Sequence, residues 1–172
     1  AEYRDREHNL QRQVQRMVAD QEEEAGVAIE GVDDQEFASV VEDALRHLHD
    51  YAYLGEHALA QLQIVDWSLK DSDEGFLTHI DRGKVLSEVM AQAVHKLRPD
   101  GKEPARHSIP PREWNSYIIL HDAYVLDDMN RDIMSRLYIS EGTFNRTRRR
   151  AIRGVARALQ EMEQEARLRA SS

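Results

Sequence analysis

Apolar residues recur at helical spacing along most of the chain, and no segment shows the sustained two-residue alternation of a strand. The clearest patterns cover segments 36–54, 56–69 and 84–97. Their apolar positions are Phe37, Val40, Val41, Ala44, Leu45, Leu48 and Ala52; then Leu59, Leu62, Val65 and Trp67; then Val85, Leu86, Val89, Met90, Ala93, Val94 and Leu97. Spacings of three and four residues place such positions on one helix face. The pattern predicts an all-α protein with a small helical domain over 36–98.

The N-terminal segment 1–30 carries a narrower apolar stripe on a very polar background. Leu10, Val14, Met17 and Val18 share one face of a helix predicted over 2–24, and a loop is predicted to follow. Two interpretations stay open for this stripe. It is the seam of a coiled coil, which would make the protein a homodimer, or it belongs to a helix on the protein surface.

A proline-rich segment separates this part from the C-terminal part. All four prolines lie within 99–111. Proline cannot continue a helix, and it disfavours helix in the preceding residue. We therefore predict a linker over 99–111 and a second domain over 112–172, with few contacts between the two sides.

The C-terminal segment predicts a series of helices joined by a tight turn. The first contains Trp114, Tyr117, Ile118, His121 and Tyr124 at helical spacing, and Asp127 or Asp128 is expected to cap the next helix, over 129–137. A three-residue turn, 138–140, follows. Ser140 is the predicted N-cap of the last helix, and Glu141 is favourably placed against its dipole.

The stretch "RDIMSRLYISEGTFNRTRRRAIRGVARAL" resembles the promoter-reading fourth region of bacterial sigma factors and LuxR-type regulators. The resemblance covers about 112–160 and implies a helix-turn-helix domain. Ile133, Leu137 and Ile139 match the positions that lock the two helices together. Phe144 matches the apolar residue that fixes the recognition helix to the core, and the recognition helix begins at 140–143.

The chain departs from this family at two points. The family usually has glycine in the turn, where this chain has Tyr138. Glycine adopts left-handed backbone angles freely and tyrosine does not, so we expect the turn to be strained or differently shaped. Nothing upstream resembles the sigma region that melts promoter DNA, so the chain is not a complete sigma factor.

Charge is distributed unevenly along the chain. The formal net charge is −9, but segment 142–157 carries six arginines and no acid, so the remaining residues carry −15. At about 100° per residue, Ala151, Val155, Ala158 and Met162 lie on the side of Phe144. Five arginines lie opposite on one arc, and Arg148 is expected to point to the apolar side and bond within the fold.

This arrangement of arginines predicts that the exposed side of the last helix binds double-stranded DNA. The candidate DNA-binding residues are Ser140, Glu141, Thr143, Asn145, Arg146, Arg149, Arg150, Arg153 and Arg157. The resemblance implies sequence-specific transcription regulation, with the start of the last helix at base edges and later arginines at phosphates. The alternative is a protein-interaction module that keeps the helix-turn-helix shape without binding DNA, either as a scaffold segment of a larger signalling protein or as an adaptor that docks on RNA polymerase or another acidic partner.

Other chemistry has little support in the sequence. His47 and His49 point to different sides of a helix, and the acidic run at 71–75 lacks the rest of a calcium loop, so no metal or cofactor is expected. There is no cysteine and no nucleophile motif, and we do not expect an enzyme. No apolar run is long enough for a membrane helix, so we expect a cytoplasmic protein without a membrane partner.

Overall fold

The computed structural model describes residues 10–13, 34–70 and 78–171. Every regular element in these ranges is helical, which confirms the all-α prediction. The α-helices are α1 (Asp34–Arg46), α2 (Tyr51–Gly55), α3 (Gln63–Lys70), α4 (His79–His95), α5 (Asn115–Leu120), α6 (Asn130–Leu137) and α7 (Glu141–Ala170). Ala58–Gln61 and Arg112–Trp114 form 3₁₀ turns, and His121–Val125 forms a π-helical turn. Within these ranges, no helix combines the length and apolar character needed to cross a membrane.

Only a short part of the predicted N-terminal helix is described. Residues 10–13 are helical, and Leu10 packs partly buried against the core. The Gln11 side chain donates to the Tyr53 hydroxyl at 3.4 Å. Val14, Met17 and Val18 lie outside the described residues, so the interpretation of the stripe stays a prediction.

The predicted helix over 36–54 is two helices with a turn between them. α1 ends at Arg46, and α2 begins at Tyr51. The Asp50 carboxylate caps α2 by accepting the Tyr53 N–H at 3.1 Å. The break changes the helical phase, so Ala52, which the pattern placed in the core, is exposed.

The structure also corrects the next two helices. The predicted helix over 56–69 consists of a 3₁₀ turn followed by α3, and Trp67, expected in the core, is 37% exposed under the guanidinium of Arg169. α4 begins at His79 rather than at the predicted position 84. Thr78 and Asp81 form a reciprocal capping box there, which satisfies backbone N–H groups at the helix start.

Two glycines allow α2 and α4 to approach each other closely. A Cβ atom on Gly83 would overlap the carbonyl of Tyr51, and a Cβ atom on Gly55 would overlap the carbonyl of His79. Because these neighbours are backbone atoms, they could not move aside without shifting a helix. Both positions therefore require glycine for the packing of the N-terminal helices.

The buried core is continuous across the proline-rich segment. α7 packs against α1, α3 and α4 on one side of that segment and against α5 on the other. Buried residues from both sides, from Phe37 to Met162, form a single cluster. The expectation that few contacts cross 99–111 is therefore wrong, because the long apolar face of α7 serves both parts.

The start of α6 differs from the predicted cap. α6 begins at Asn130 after Met129, and no side chain caps it. Asp127 adopts a positive φ of 59°, and the Asp128 side chain forms an ion pair with Arg106 at 3.1 Å instead. The expected cap by Asp127 or Asp128 is therefore absent. The predicted end of α6 at Leu137 is confirmed.

Candidate nucleic-acid interface

The connection between α6 and α7 is a tight turn of three residues, 138–140. Tyr138 lies in the left-handed region, with φ 55° and ψ 54°. Its N–H donates to the carbonyl of Ser135, and the N–H of Ile139 donates to the carbonyl of Met134, both at 3.2 Å. This pair of bonds forms a Schellman motif, in which glycine commonly occupies the position of Tyr138. The backbone thus keeps the geometry of a glycine turn with a tyrosine in it.

Three side chains are linked at the start of α7. Ser140 Oγ accepts the Thr143 N–H at 3.2 Å, which confirms the predicted N-cap, and donates to Thr143 Oγ1 at 3.1 Å. Arg146 Nη2 donates to the same Thr143 oxygen at 3.3 Å. A Cβ on Gly142 would lie 3.3 Å from Arg146 Nη1. The Arg146 guanidinium therefore folds back toward the N-terminal turn and holds positive charge there.

Five arginines on one side of α7, which we call the arginine face, are exposed to solvent. They are Arg146, Arg149, Arg150, Arg153 and Arg157. In the described part of the chain, none of these guanidinium groups forms an ion pair. The face extends along about 16 Å of the helix axis. The predicted clustering of exposed positive charge on one helix side is present in the structure.

The opposite side of α7 is packed as its periodicity predicts. Phe144 is 1% exposed, and the other buried side chains of this face include Ala151, Ile152, Val155, Ala158, Leu159 and Met162. Arg148 lies toward this side, with a guanidinium nitrogen 3.8 Å from Glu42 of α1. Its Nε atom is buried and has no hydrogen-bond partner among the described residues. Arg148 therefore belongs to the packed side of the helix, as expected, and not to the arginine face.

Glu163 fixes the C-terminal half of α7 to the start of α3. Its carboxylate accepts the N–H of Gln63 at 3.0 Å and the N–H of Ile64 at 2.9 Å, and Arg167 donates to it at 3.4 Å. Burial raises the pKa of Glu163 above its usual value of 4.5, although these hydrogen bonds oppose the shift. Sequence periodicity gave no reason to expect this buried carboxylate.

A buried ion pair holds α6 against the π-helical turn. Arg136 donates to Asp122, on the π-helical turn, at 2.8 Å, and both side chains are almost fully buried. Burial alone would raise the pKa of Asp122, but the hydrogen bonds from His121 and Arg136 outweigh it and lower the pKa below its usual value of 3.8. The carboxylate therefore stays charged, and it holds α6 against the π-helical turn.

The predicted site residues lie together along the first half of α7 and its N-cap. Ser140 and Glu141 are exposed, Thr143 and Asn145 are half-buried, and the five arginines are exposed. The sequence did not indicate that Tyr138 would be 82% exposed next to this surface. The only signal was the unusual residue type at a glycine position of the turn.

The histidines and carboxylates of the N-terminal part form an internal network. His57 Nδ1 accepts the Leu59 N–H at 3.1 Å, so its Nε2–H donates to Asp43 at 3.0 Å. Burial raises the pKa of Asp43, but the hydrogen bonds from His57 and Tyr53 outweigh it and leave the pKa lowered. His49 Nε2 bonds backbone carbonyls of the π-helical turn. Among the described residues, no three such side chains converge as in a metal site.

No protein-family model, curated protein or solved structure matches the chain at a significant level. The chemistry of the surface itself therefore carries the functional proposal. That surface combines a Ser-capped helix start, a tyrosine in a left-handed turn and an exposed arginine face.

Proposed function

We propose that the chain binds double-stranded DNA through the arginine face and regulates transcription with a helix-turn-helix of the sigma-region-4 or LuxR type. The observation that carries the proposal is the arginine face: exposed guanidinium groups on one side of a helix, without ion-pair partners among the described residues, in a chain of net charge −9. Guanidinium groups donate paired hydrogen bonds to phosphate oxygens, and they remain charged at all physiological pH values.

Repulsion within the arginine face supports a polyanionic partner. Arg146 and Arg150 lie four residues apart, as do Arg149 and Arg153. Like charges at this spacing destabilise a helix, and no acid on the described surface relieves them by an ion pair. Phosphates along a duplex would neutralise these charges and release counterions, which favours binding.

The start of α7 would meet base edges, and the later turns would meet the backbone. Thr143 accepts hydrogen bonds from Ser140 and Arg146, so its own hydroxyl hydrogen is free to be donated outward. Glu141, Asn145 and Arg146 accompany it in the first turns. Arg149, Arg150, Arg153 and Arg157 lie further along, where a helix entering the major groove moves away from the bases toward phosphates.

A homodimer would suit a helix-turn-helix protein, because two copies on two half-sites recognise a longer DNA site and bind it more tightly than one copy does. The apolar stripe predicted in segment 2–24 offers a seam. Sedimentation of the whole chain, compared with a chain lacking residues 1–30, tests this. A dimer is expected only when the segment is present, and a monomer in both samples would contradict the proposal.

A DNA-binding role would place the protein in the cytoplasm, where bacterial DNA lies.

The alternative is a scaffold or interaction module that docks on RNA polymerase or another acidic protein. The central position of α7 favours it, because this helix packs into the single core formed by both sides of 99–111 and need not be a separate DNA-binding element. An acidic protein surface would also pair with the arginine face. The two functions differ in whether duplex DNA alone is sufficient for binding.

Binding of the full chain to a labelled duplex of mixed sequence, measured by polarisation over a salt series, separates them. The DNA-binding proposal predicts that log K falls linearly with log salt concentration, with a slope of about −0.9 for each phosphate contact. Absence of duplex binding even at low salt would contradict it and favour the protein-docking alternative.

A further inference from the structure

Tyr138 has an unusual combination of backbone and side-chain properties. Its φ of 55° lies in the left-handed region, which a tyrosine adopts at a cost because its Cβ crowds the following carbonyl. Its side chain is 82% exposed, the most exposed of the large hydrophobic side chains in the described residues. A residue held in a costly conformation without burying its ring points to a role outside the fold.

The fold itself does not need a tyrosine at this position. The Schellman bonds use only the N–H groups of Tyr138 and Ile139, and a glycine would form them without crowding. The locking contacts of the turn come from other residues, since Ile133 and Leu137 are buried and Ile139 packs partly buried against the core. The ring of Tyr138 contributes little to any of this.

Tyr138 lies just before the start of α7, at the end of the helix where the arginine face begins. Only Ile139 separates it from the Ser140 cap in the sequence, and Arg146 folds back toward that same end of α7. Tyr138 also lines an open cleft together with Arg131 of α6, with Ser140 and with the acidic Glu141. Tyr138 and the guanidinium of Arg146 thus both lie near the N-terminal end of α7, where a polyanion bound along the arginine face would end.

We propose that Tyr138 is a DNA-contact residue whose hydroxyl donates a hydrogen bond to a phosphate oxygen of the duplex. This proposal rests on the proposed DNA-binding function and adds a neutral contact at the turn to the charged contacts along α7. Backbone contacts of this kind position a helix on a duplex without reading its sequence. The strain of the turn is thus retained for binding and not for stability.

Two variants of the full chain test this. Tyr138→Phe removes only the hydroxyl, and it is expected to weaken binding to any duplex about tenfold, as loss of a hydrogen bond to a charged acceptor does. Tyr138→Gly removes the whole side chain and relieves the turn, so affinity is expected to fall while Tm stays equal or rises. Because the phenol is uncharged, neither variant should change the salt slope of binding.

Other outcomes would overturn the proposal. Parental affinity for Tyr138→Phe would show that the hydroxyl makes no contact, whatever Tyr138→Gly does. A marked drop in the Tm of Tyr138→Gly would show that the ring supports the fold. Arg150→Ala separates this failure from failure of the function: if it weakens duplex binding while both Tyr138 variants bind normally, DNA binding stands and only the Tyr138 contact is wrong. If the parent does not bind duplex DNA, both proposals fall.

Discussion

The Glu163 carboxylate, near the end of the last helix, accepts the backbone N–H of Gln63 at 3.0 Å and so caps a helix that begins 100 residues earlier in the chain. Glu163→Ala should lower the free energy of unfolding by about 2–3 kcal/mol, because two partly buried N–H groups at the start of α3 lose their acceptor. Glu163→Gln keeps one acceptor oxygen and should cost less. Denaturant unfolding measures both, and equal stability of Glu163→Ala and the parent would contradict the capping role.

The stability of the fold should depend on pH partly through the protonation of the same carboxyl group. Since burial raises the pKa of Glu163 above its unfolded value of 4.5, the folded state binds this proton more tightly. The free energy of unfolding contributed by Glu163 should therefore rise as pH falls through the folded pKa toward 4.5. Denaturant midpoints of the parent and Glu163→Gln should diverge in this window in favour of the parent, and a constant difference would contradict it.

At lower pH two aspartates should have the opposite effect on stability, which they lower as pH falls. The pKa values of Asp43 and Asp122 are lowered below 3.8, so their contribution to stability is present above 3.8 and is lost as pH falls further. The parent and Glu163→Gln should lose stability in parallel in this acid range.

Phe144 should stabilise the fold and not contact DNA directly. It is 1% exposed at the centre of the packed side of α7. Phe144→Ala should cost about 3–5 kcal/mol by leaving a cavity. Asn145→Ala, at the adjacent half-buried position, serves as the control and should leave stability much closer to that of the parent. An unchanged Tm for Phe144→Ala would mean that the helical phase is wrong.

The isolated segment 112–172 should not melt cooperatively. In the full chain, α7 buries its apolar face against α1, α3 and α4 as well as α5, so this segment alone would expose much of that face. Circular dichroism of the segment should show helix without a sharp transition, while the full chain melts cooperatively. A cooperative transition of the segment at the Tm of the full chain would show that the two sides are independent.

The features of α7 that the sequence predicts are local ones. Its apolar period is sustained over many turns, Ser140 is a typical N-cap, and the turn before it ends α6 at Leu137. The same helical periodicity places Arg148 toward the packed side of α7, away from the arginine face. Signals of this kind lie within a few residues of the structure they specify, so a single sequence carries them.

The features that the sequence does not predict depend on competition between local signals or on distant partners. Apolar spacing continues through segment 36–54, so it hides the cap at Asp50 that starts a new helix. The Thr78 capping box lies in a polar stretch that resembles a loop. In the sequence, Glu163 looks like a residue on a solvent-exposed helix face. Only the fold brings the N–H groups of Gln63 and Ile64 to its carboxylate.

Removing single charges from the arginine face shows whether this face binds DNA. Arg150→Ala and Arg153→Ala each remove one exposed cation from the face. Arg46→Ala is the matched control, because Arg46 is an exposed arginine whose partner, Glu42, also lies near Arg148 on the packed side of α7. The measurement is the affinity of each full-length variant for a duplex over a salt series. We expect Arg150→Ala and Arg153→Ala each to reduce the slope of log K against log salt by about 0.9 and Arg46→Ala to leave it unchanged. Equal slopes and affinities for all three variants and the parent would show that the arginine face is not a DNA-binding surface.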